Sequence, residues 1–267
     1  MRDHPAKPRP RAGQAVGGAE ESTPWWAGGT LGVGAAGLTL AGRPVADLAA
    51  QHGTPSYLYD AARVRGAVAG LRAALAPFAQ ARIYYAIKAN HFGPLLDLLQ
   101  SAGIGIDACS PREVRLAQEG GVTDISVTAS SLSPTDIAAL AQARVHVNFD
   151  YVPALRRYAE FVPRGTGVGL RVDAGLQAGY GERTSYGAGK LGLAPEDVLP
   201  AAKAAEDAGL VIDTLHTHLG WGLRAEDESA FRNALATVAH LAGQLPAVTT
   251  INVGGGLGGR FRACRRK

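Results

Sequence analysis

Cysteine is nearly missing from this 267-residue chain, which holds only Cys109 and Cys264. Two thiols cannot build a disulfide framework or a cysteine-rich zinc site, so a reducing cytoplasm is the expected compartment. Long apolar runs are missing as well. The uncharged stretch 23–42 is too rich in glycine to span a bilayer, and no membrane segment is expected. Glu20 and Glu21 separate the basic start from that stretch, which argues against an export signal. Lysine is scarce, at five against 22 arginines, so each lysine carries information.

Excess positive charge is confined to the two ends. The formal net charge is +4, yet residues 1–12 carry +3 and residues 260–267 carry +5, which leaves −4 for everything between them. A nucleic-acid-binding domain carries its positive charge on a folded face, so no nucleic-acid partner is expected. What the chain does have is apolar residues (46%), 35 glycines and 15 prolines, a composition that suits a globular α/β protein with many turns.

Residues 1–30 read as a flexible leader rich in Pro, Arg and Gly. Beyond them, short β-branched runs alternate with Ala/Leu-rich segments of helical spacing, the signature of βα units around a parallel sheet. The spacing predicts strands at 82–87, 105–108, 124–128, 145–149, 167–172, 211–216 and 249–253. It predicts helices at 61–75, 94–102, 112–119, 134–141, 152–160, 195–208 and 226–244. Ser110-Pro111-Arg112-Glu113 and Ser133-Pro134-Thr135-Asp136 read as helix starts. Seven βα repeats point to a (β/α)8 barrel short of one strand, with an open doubly wound sheet as the alternative.

Lys88 closes the apolar run Ile83-Tyr84-Tyr85-Ala86-Ile87. A lysine at the C-terminal end of a barrel strand sits where active sites form and offers an amine nucleophile; it can also simply snorkel to solvent. Gly254, Gly255 and Gly256 follow the seventh strand, where backbone N–H groups can approach a phosphate. A plain turn is the other reading. The match to a dinucleotide fingerprint fails because no helix or ribose-binding acid follows. His216 and His218 share one strand face at the end of the sixth strand. As metal ligands they lack partners, since only His240 follows, so no metal is expected; a ring that packs on a flat cofactor or a core histidine fits better. Asp107 and Cys109 close the second strand, and Arg171 and Asp173 the fifth. An amine, phosphate-cradling glycines and a flat-ring histidine at one mouth fit a carbonyl cofactor with a phosphate handle, which describes pyridoxal 5′-phosphate.

With these residues in place, the chain resembles the fold-type III pyridoxal-phosphate decarboxylases of basic amino acids, the group acting on diaminopimelate, ornithine and arginine. Tyr85-Ala86-Ile87-Lys88-Ala89-Asn90 is similar to the family's cofactor-lysine motif, and Asp107-Ala108-Cys109-Ser110-Pro111-Arg112-Glu113-Val114 to its Asp-x-x-Ser-x-x-Glu-Leu segment. Lys190-Leu191-Gly192-Leu193, His218-Leu219-Gly220 and Gly254-Gly255-Gly256 match three further motifs in family order. The resemblance implies an alanine racemase-like barrel over 31–259, with residues 260–267 a basic tail outside the family pattern. It implies that Lys88 holds the cofactor covalently, that His218 stacks on its ring and that Gly254–Gly256 bind its phosphate. Asp107, Glu113 and Arg171 would surround the ring.

The activity that the resemblance implies is decarboxylation of a basic or diamino acid, foremost meso-diaminopimelate to L-lysine. Ornithine- or arginine-type decarboxylation, or cofactor binding without turnover, are the alternatives. Trp221 stands where the family has a phosphate-binding serine, and Asp173 where an Asn-Pro pair is common. The family pattern continues into a Glu-Pro-Gly-Arg segment and a β-rich domain that completes a homodimer, neither of which these residues include. Cys264 therefore does not correspond to the family's catalytic cysteine, and turnover by the 267 residues alone is not expected. An Arg-rich end after an intact glycine motif is what a shifted reading frame in GC-rich DNA produces.

Overall fold

The computed structural model describes residues 30–258 apart from 36, 79, 176–190 and 221. Nearly all of the proposed leader, the tail 260–267, Lys190, Trp221 and Cys264 lie outside the described residues. The chain divides into two compact units between Arg63 and Val64.

The first unit corrects the reading of the sequence, which places no strand ahead of residue 82. It holds an antiparallel sheet of β1 (Leu31–Gly34), β2 (Gly37–Leu40) and β3 (Arg43–Pro44), followed by α1 (Val45–His52). Ala41 and Gly42, at φ 51° and 77°, form the two-residue turn with positive φ that right-twisted hairpins favour. These strands run two to four residues and bury no side chain fully, so no apolar alternation marks them. Helix α2 (Ala61–Leu75) begins just before the boundary, with the limits its periodicity predicts.

The second unit carries the βα repeats: β4 (Tyr84–Ala86), α3 (Gly93–Ser101), β5 (Gly105–Ala108), α4 (Pro111–Glu119), β6 (Ile125–Thr128), α5 (Pro134–Ala143) and β7 (His146–Phe149). These continue into α6 (Val152–Ala159), β8 (Gly167–Arg171), α7 (Pro195–Asp207), β9 (Val211–His216), α8 (Glu228–Ala242) and β10 (Thr250–Asn252). All seven strands pair in parallel, in the order β10-β9-β8-β7-β6-β5-β4. That order never reverses. Right-handed crossovers that always step in one direction put every helix on the same face, which makes a barrel wall; a doubly wound sheet needs a reversal. The unit is an incomplete (β/α)8 barrel.

Alternation along the strands separates two faces. Val127, Val147, Phe149, Val168, Leu170 and Leu215 are buried in the main core together with helix residues such as Val114, Leu155 and Val198. The opposite face is polar and close-packed. Asn148 Nδ2 donates to Ser126 Oγ at 3.2 Å and to Thr128 Oγ1 at 3.0 Å, and His146 Nε2 lies 2.8 Å from Asp213 Oδ1. Gly169 makes room for this layer: a Cβ there would lie 1.9 Å from Asn148 Oδ1.

The capping signals form as the sequence predicts. Ser133 Oγ accepts from Asp136 N–H at 3.1 Å while Asp136 Oδ2 accepts from Ser133 N–H at 3.0 Å, a complete capping box on α5. Ser133→Ala is expected to destabilise the chain by about 1 kcal/mol, read from a denaturant midpoint at unchanged slope.

Candidate active site

The C-terminal ends of the barrel strands gather the chemistry, and Lys88 heads it. Strand β4 ends at Ala86, one residue short of the predicted strand end, and Lys88 lies on a single 3-10 turn, Ile87–Ala89. Ile87 is fully buried and anchors the turn, while Lys88 is exposed. Ala86 pairs with Asp107 in the β4–β5 register, so Lys88 and Cys109 each stand two residues past the same rung. Lys88 Nζ donates to Cys109 Sγ at 3.6 Å.

Cys109 itself is fixed by the start of α4. Its N–H donates to Glu113 Oε2 at 2.7 Å, and Ser110 Oγ accepts from Glu113 N–H at 3.3 Å. Glu113 is thereby turned back onto the strand–helix junction, in keeping with the helix start that its spacing from Ser110 predicts. Asp107 is largely buried. Burial lifts its carboxyl to about 6, with Glu113 pushing further up, while Lys88 and Arg171 pull it down.

Arg171, the last residue of β8, is buried and donates from Nη1 to Ser130 Oγ at 3.2 Å. It pairs in register with His216, which ends β9. Burial, with Arg171, His218 and Lys88 close by, pushes the His216 imidazole down to about 3, and its buried Nδ1 has no hydrogen-bond partner. His218 is also held below its usual value, chiefly by burial and then by the charges of Arg171 and Lys88. Both rings are neutral at pH 7.

The glycine loop folds onto His218. Gly255 N–H donates to His218 Nδ1 at 3.4 Å, and Gly254 N–H to Asn252 Oδ1 at 2.9 Å. Gly254 and Gly256 have φ of 67° and 91°. A Cβ at Gly254 would lie 2.6 Å from Thr217 O and 2.9 Å from His218 Nδ1, so glycine is required there on both counts. The region around Gly255 is open.

The structure thus brings Lys88, Asp107, Arg171 and His218 into one electrostatic cluster and sets Gly254–Gly256 against His218. Reading the sequence for motifs passed over the contact of Cys109 with Lys88 and the bond of Ser130 to Arg171. Ser130 stands two residues beyond the end of β6, the strand-end address shared by the rest of the site. An exposed amine, a neutral imidazole influenced by a buried guanidinium, and an open loop with positive φ against that imidazole suit an aldehyde, an aromatic ring and a phosphate. These residues fit pyridoxal 5′-phosphate.

Comparison with known proteins agrees. Residues 64–267 match the family model described as pyridoxal-dependent decarboxylase, pyridoxal binding domain. The chain is 31% identical over 222 residues to the diaminopimelate decarboxylase of Deinococcus radiodurans, covering 82% of this chain and 56% of that protein. It is 29% identical over 231 residues to the diaminopimelate decarboxylase of Methanothermobacter thermautotrophicus, covering 83% and 54%. The crystal structure of diaminopimelate decarboxylase from M. jannaschii in complex with L-lysine shares the fold, with a TM-score of 0.75 at 22% identity over 86% of this chain and 57% of that one. The chain spans about half the length of the curated relatives it matches. On its motifs, its barrel and the family match, this chain belongs to the pyridoxal-dependent decarboxylases, whose pyridoxal-binding domain it carries.

Proposed function

We propose that this chain is the cofactor-holding barrel of a decarboxylase that converts meso-diaminopimelate to L-lysine in the cytoplasm. The observation that carries the reading is the joint placement of Lys88 at the end of β4 and of His218 with Gly254–Gly256 at the ends of β9 and β10. The names of its relatives support the substrate. Lys88 would hold the cofactor through its aldehyde, and His218 would pack against its ring. The N–H groups of Gly254–Gly256 would take the phosphate, while Arg171 and Asp107 set the charge around it. When bound, pyridoxal phosphate supplies an electron-accepting ring that takes up the electron pair left as the substrate's carboxylate departs as CO2. A proton then replaces the lost carboxylate, and an amine within reach of that carbon, such as Lys88, can carry it.

Because the matched relatives are about twice as long, a second reading applies to these residues taken alone: they bind the cofactor without turnover. The purified 267-residue chain is expected to capture pyridoxal phosphate and to release no CO2 from meso-diaminopimelate, ornithine, arginine or lysine. Turnover by the chain itself would overturn that part. Sequencing the coding DNA from the Gly254 codon onward in all three frames tests the larger part. A frame that runs on into Glu-Pro-Gly-Arg and a β-rich domain supplies the full protein, whose preference among the four amino acids then decides the substrate.

Gly254→Ala tests the phosphate cradle. A left-handed alanine costs about 1–2 kcal/mol before any clash, so cofactor affinity is expected to fall about tenfold in a fluorescence titration. Affinity equal to the wild type would remove the loop from the site.

A further inference from the structure

The half-buried thiol of Cys109 beside Lys88 has no part in the function proposed above. We propose that Cys109 is a positioning residue for Lys88, holding the amine at the barrel mouth in the pose from which it meets the cofactor's aldehyde; the proposal rests on Lys88 being the cofactor amine.

Three observations place it there. The Ala86–Asp107 register brings Lys88 and Cys109 to the same level beyond two paired strands, and Lys88 Nζ donates to Cys109 Sγ at 3.6 Å. The backbone that carries the thiol is held in place, because the Cys109 N–H is tied to Glu113 at 2.7 Å and the next residue caps α4. The lysine, by contrast, is an exposed four-carbon chain on a short 3-10 turn, with many rotamers open to it. A hydrogen bond to the sulfur narrows that range at the end that reacts. Burial raises the Cys109 thiol above its usual range, while Lys88 pulls the other way, so the group facing the amine at neutral pH is an uncharged thiol. An uncharged sulfur orients the amine without locking it in an ion pair, and releases it when a carbonyl carbon arrives. Asp107, close by and of opposite charge, attracts Lys88 as well, but the amine's hydrogen bond is to the sulfur.

Two measurements on the full chain test this. The first is ortho-phthalaldehyde, which reports an amine and a thiol within bonding distance. Its two carbonyl carbons bond to the nitrogen, one of them also bonds to the sulfur, and both oxygens leave as water, giving a fluorescent isoindole with no oxidant or reductant. One isoindole per chain is expected, absent from Cys109→Ala and from Lys88→Ala and blocked by prior loading with pyridoxal phosphate. The second is the rate at which pyridoxal phosphate is captured on Lys88, followed by borohydride quenching and peptide mass. Cys109→Ala is expected to slow capture about fivefold, the worth of one net hydrogen bond, and Cys109→Ser to restore most of it.

A wild-type chain that forms no isoindole, or a Cys109→Ala chain that captures as fast as wild type on Lys88, overturns the proposal and leaves the cofactor reading intact. Capture on some other lysine would instead overturn the reading of Lys88 itself. A slowdown that Cys109→Ser fails to restore, with the isoindole absent, would mark the residue as packing and likewise overturn the positioning role.

Discussion

Lys88→Ala is expected to abolish borohydride-stable capture of pyridoxal phosphate while leaving the fold intact. The reasoning starts from how few nucleophiles the barrel mouth offers. Of the five lysines, Lys203 lies on α7 in contact with Glu206 and Asp207, at 3.1 and 2.9 Å, and Lys7, Lys190 and Lys267 fall outside the described residues. Lys88 alone among the described lysines stands at a strand end, beside Cys109 and within the field of Asp107, Arg171 and His218. Arginine cannot replace it, because a guanidinium stays protonated and does not attack a carbonyl. The side chain is exposed, so its removal should change stability by no more than about 0.5 kcal/mol. An absent adduct with an unchanged unfolding midpoint is the expected pair of results. An adduct that persists in Lys88→Ala would move the cofactor amine elsewhere.

The largest effect on stability is expected at Asp107, and it depends on pH. Its carboxyl titrates at about 6 in the folded chain against an ordinary 3.8, with burial the main cause. A raised carboxyl favours the folded state while protonated. That contribution is fully present below pH 4 and is lost as pH rises through 6, where the chain must hold a buried charge. Two pH units correspond to about 3 kcal/mol, so Asp107→Asn should stabilise the chain by about that much at pH 8 and by almost nothing at pH 4. Urea unfolding at the two pH values checks it. Equal midpoints for variant and wild type at pH 8 would show that the charge is held without strain.

Much of the barrel was readable in the sequence because each βα repeat has its own signals. Strands 105–108 and 211–216 and helix 61–75 match the predicted limits, since β-branched runs or apolar periodicity end at them. The caps of α4 and α5 depend on three-residue spacing and formed as read. What escaped depends on partners far along the chain or on segments too short for periodicity. The β1–β3 hairpins are short and hold no fully buried residue, so they have no buried face to write into the sequence. The first barrel strand covers only Tyr84–Ala86, because Ile87 turns inward and carries Lys88 onto a 3-10 turn.

At the candidate site, the strand-end placement of Lys88, Asp107, Arg171, His218 and the three glycines was readable in the sequence. Their order of contact was not. That Lys88 meets Cys109, that Arg171 reaches Ser130 and that Gly255 bonds to His218 follow from cross-strand register, which a single sequence does not print.

The most direct test of the central claim is to mix the purified chain with pyridoxal phosphate, reduce with borohydride, digest, and locate the pyridoxyl group by mass. One group per chain on the peptide containing Lys88 is the expected result. A label spread over Lys203 and the other lysines, or no label at all, would contradict the claim that this barrel holds the cofactor through Lys88.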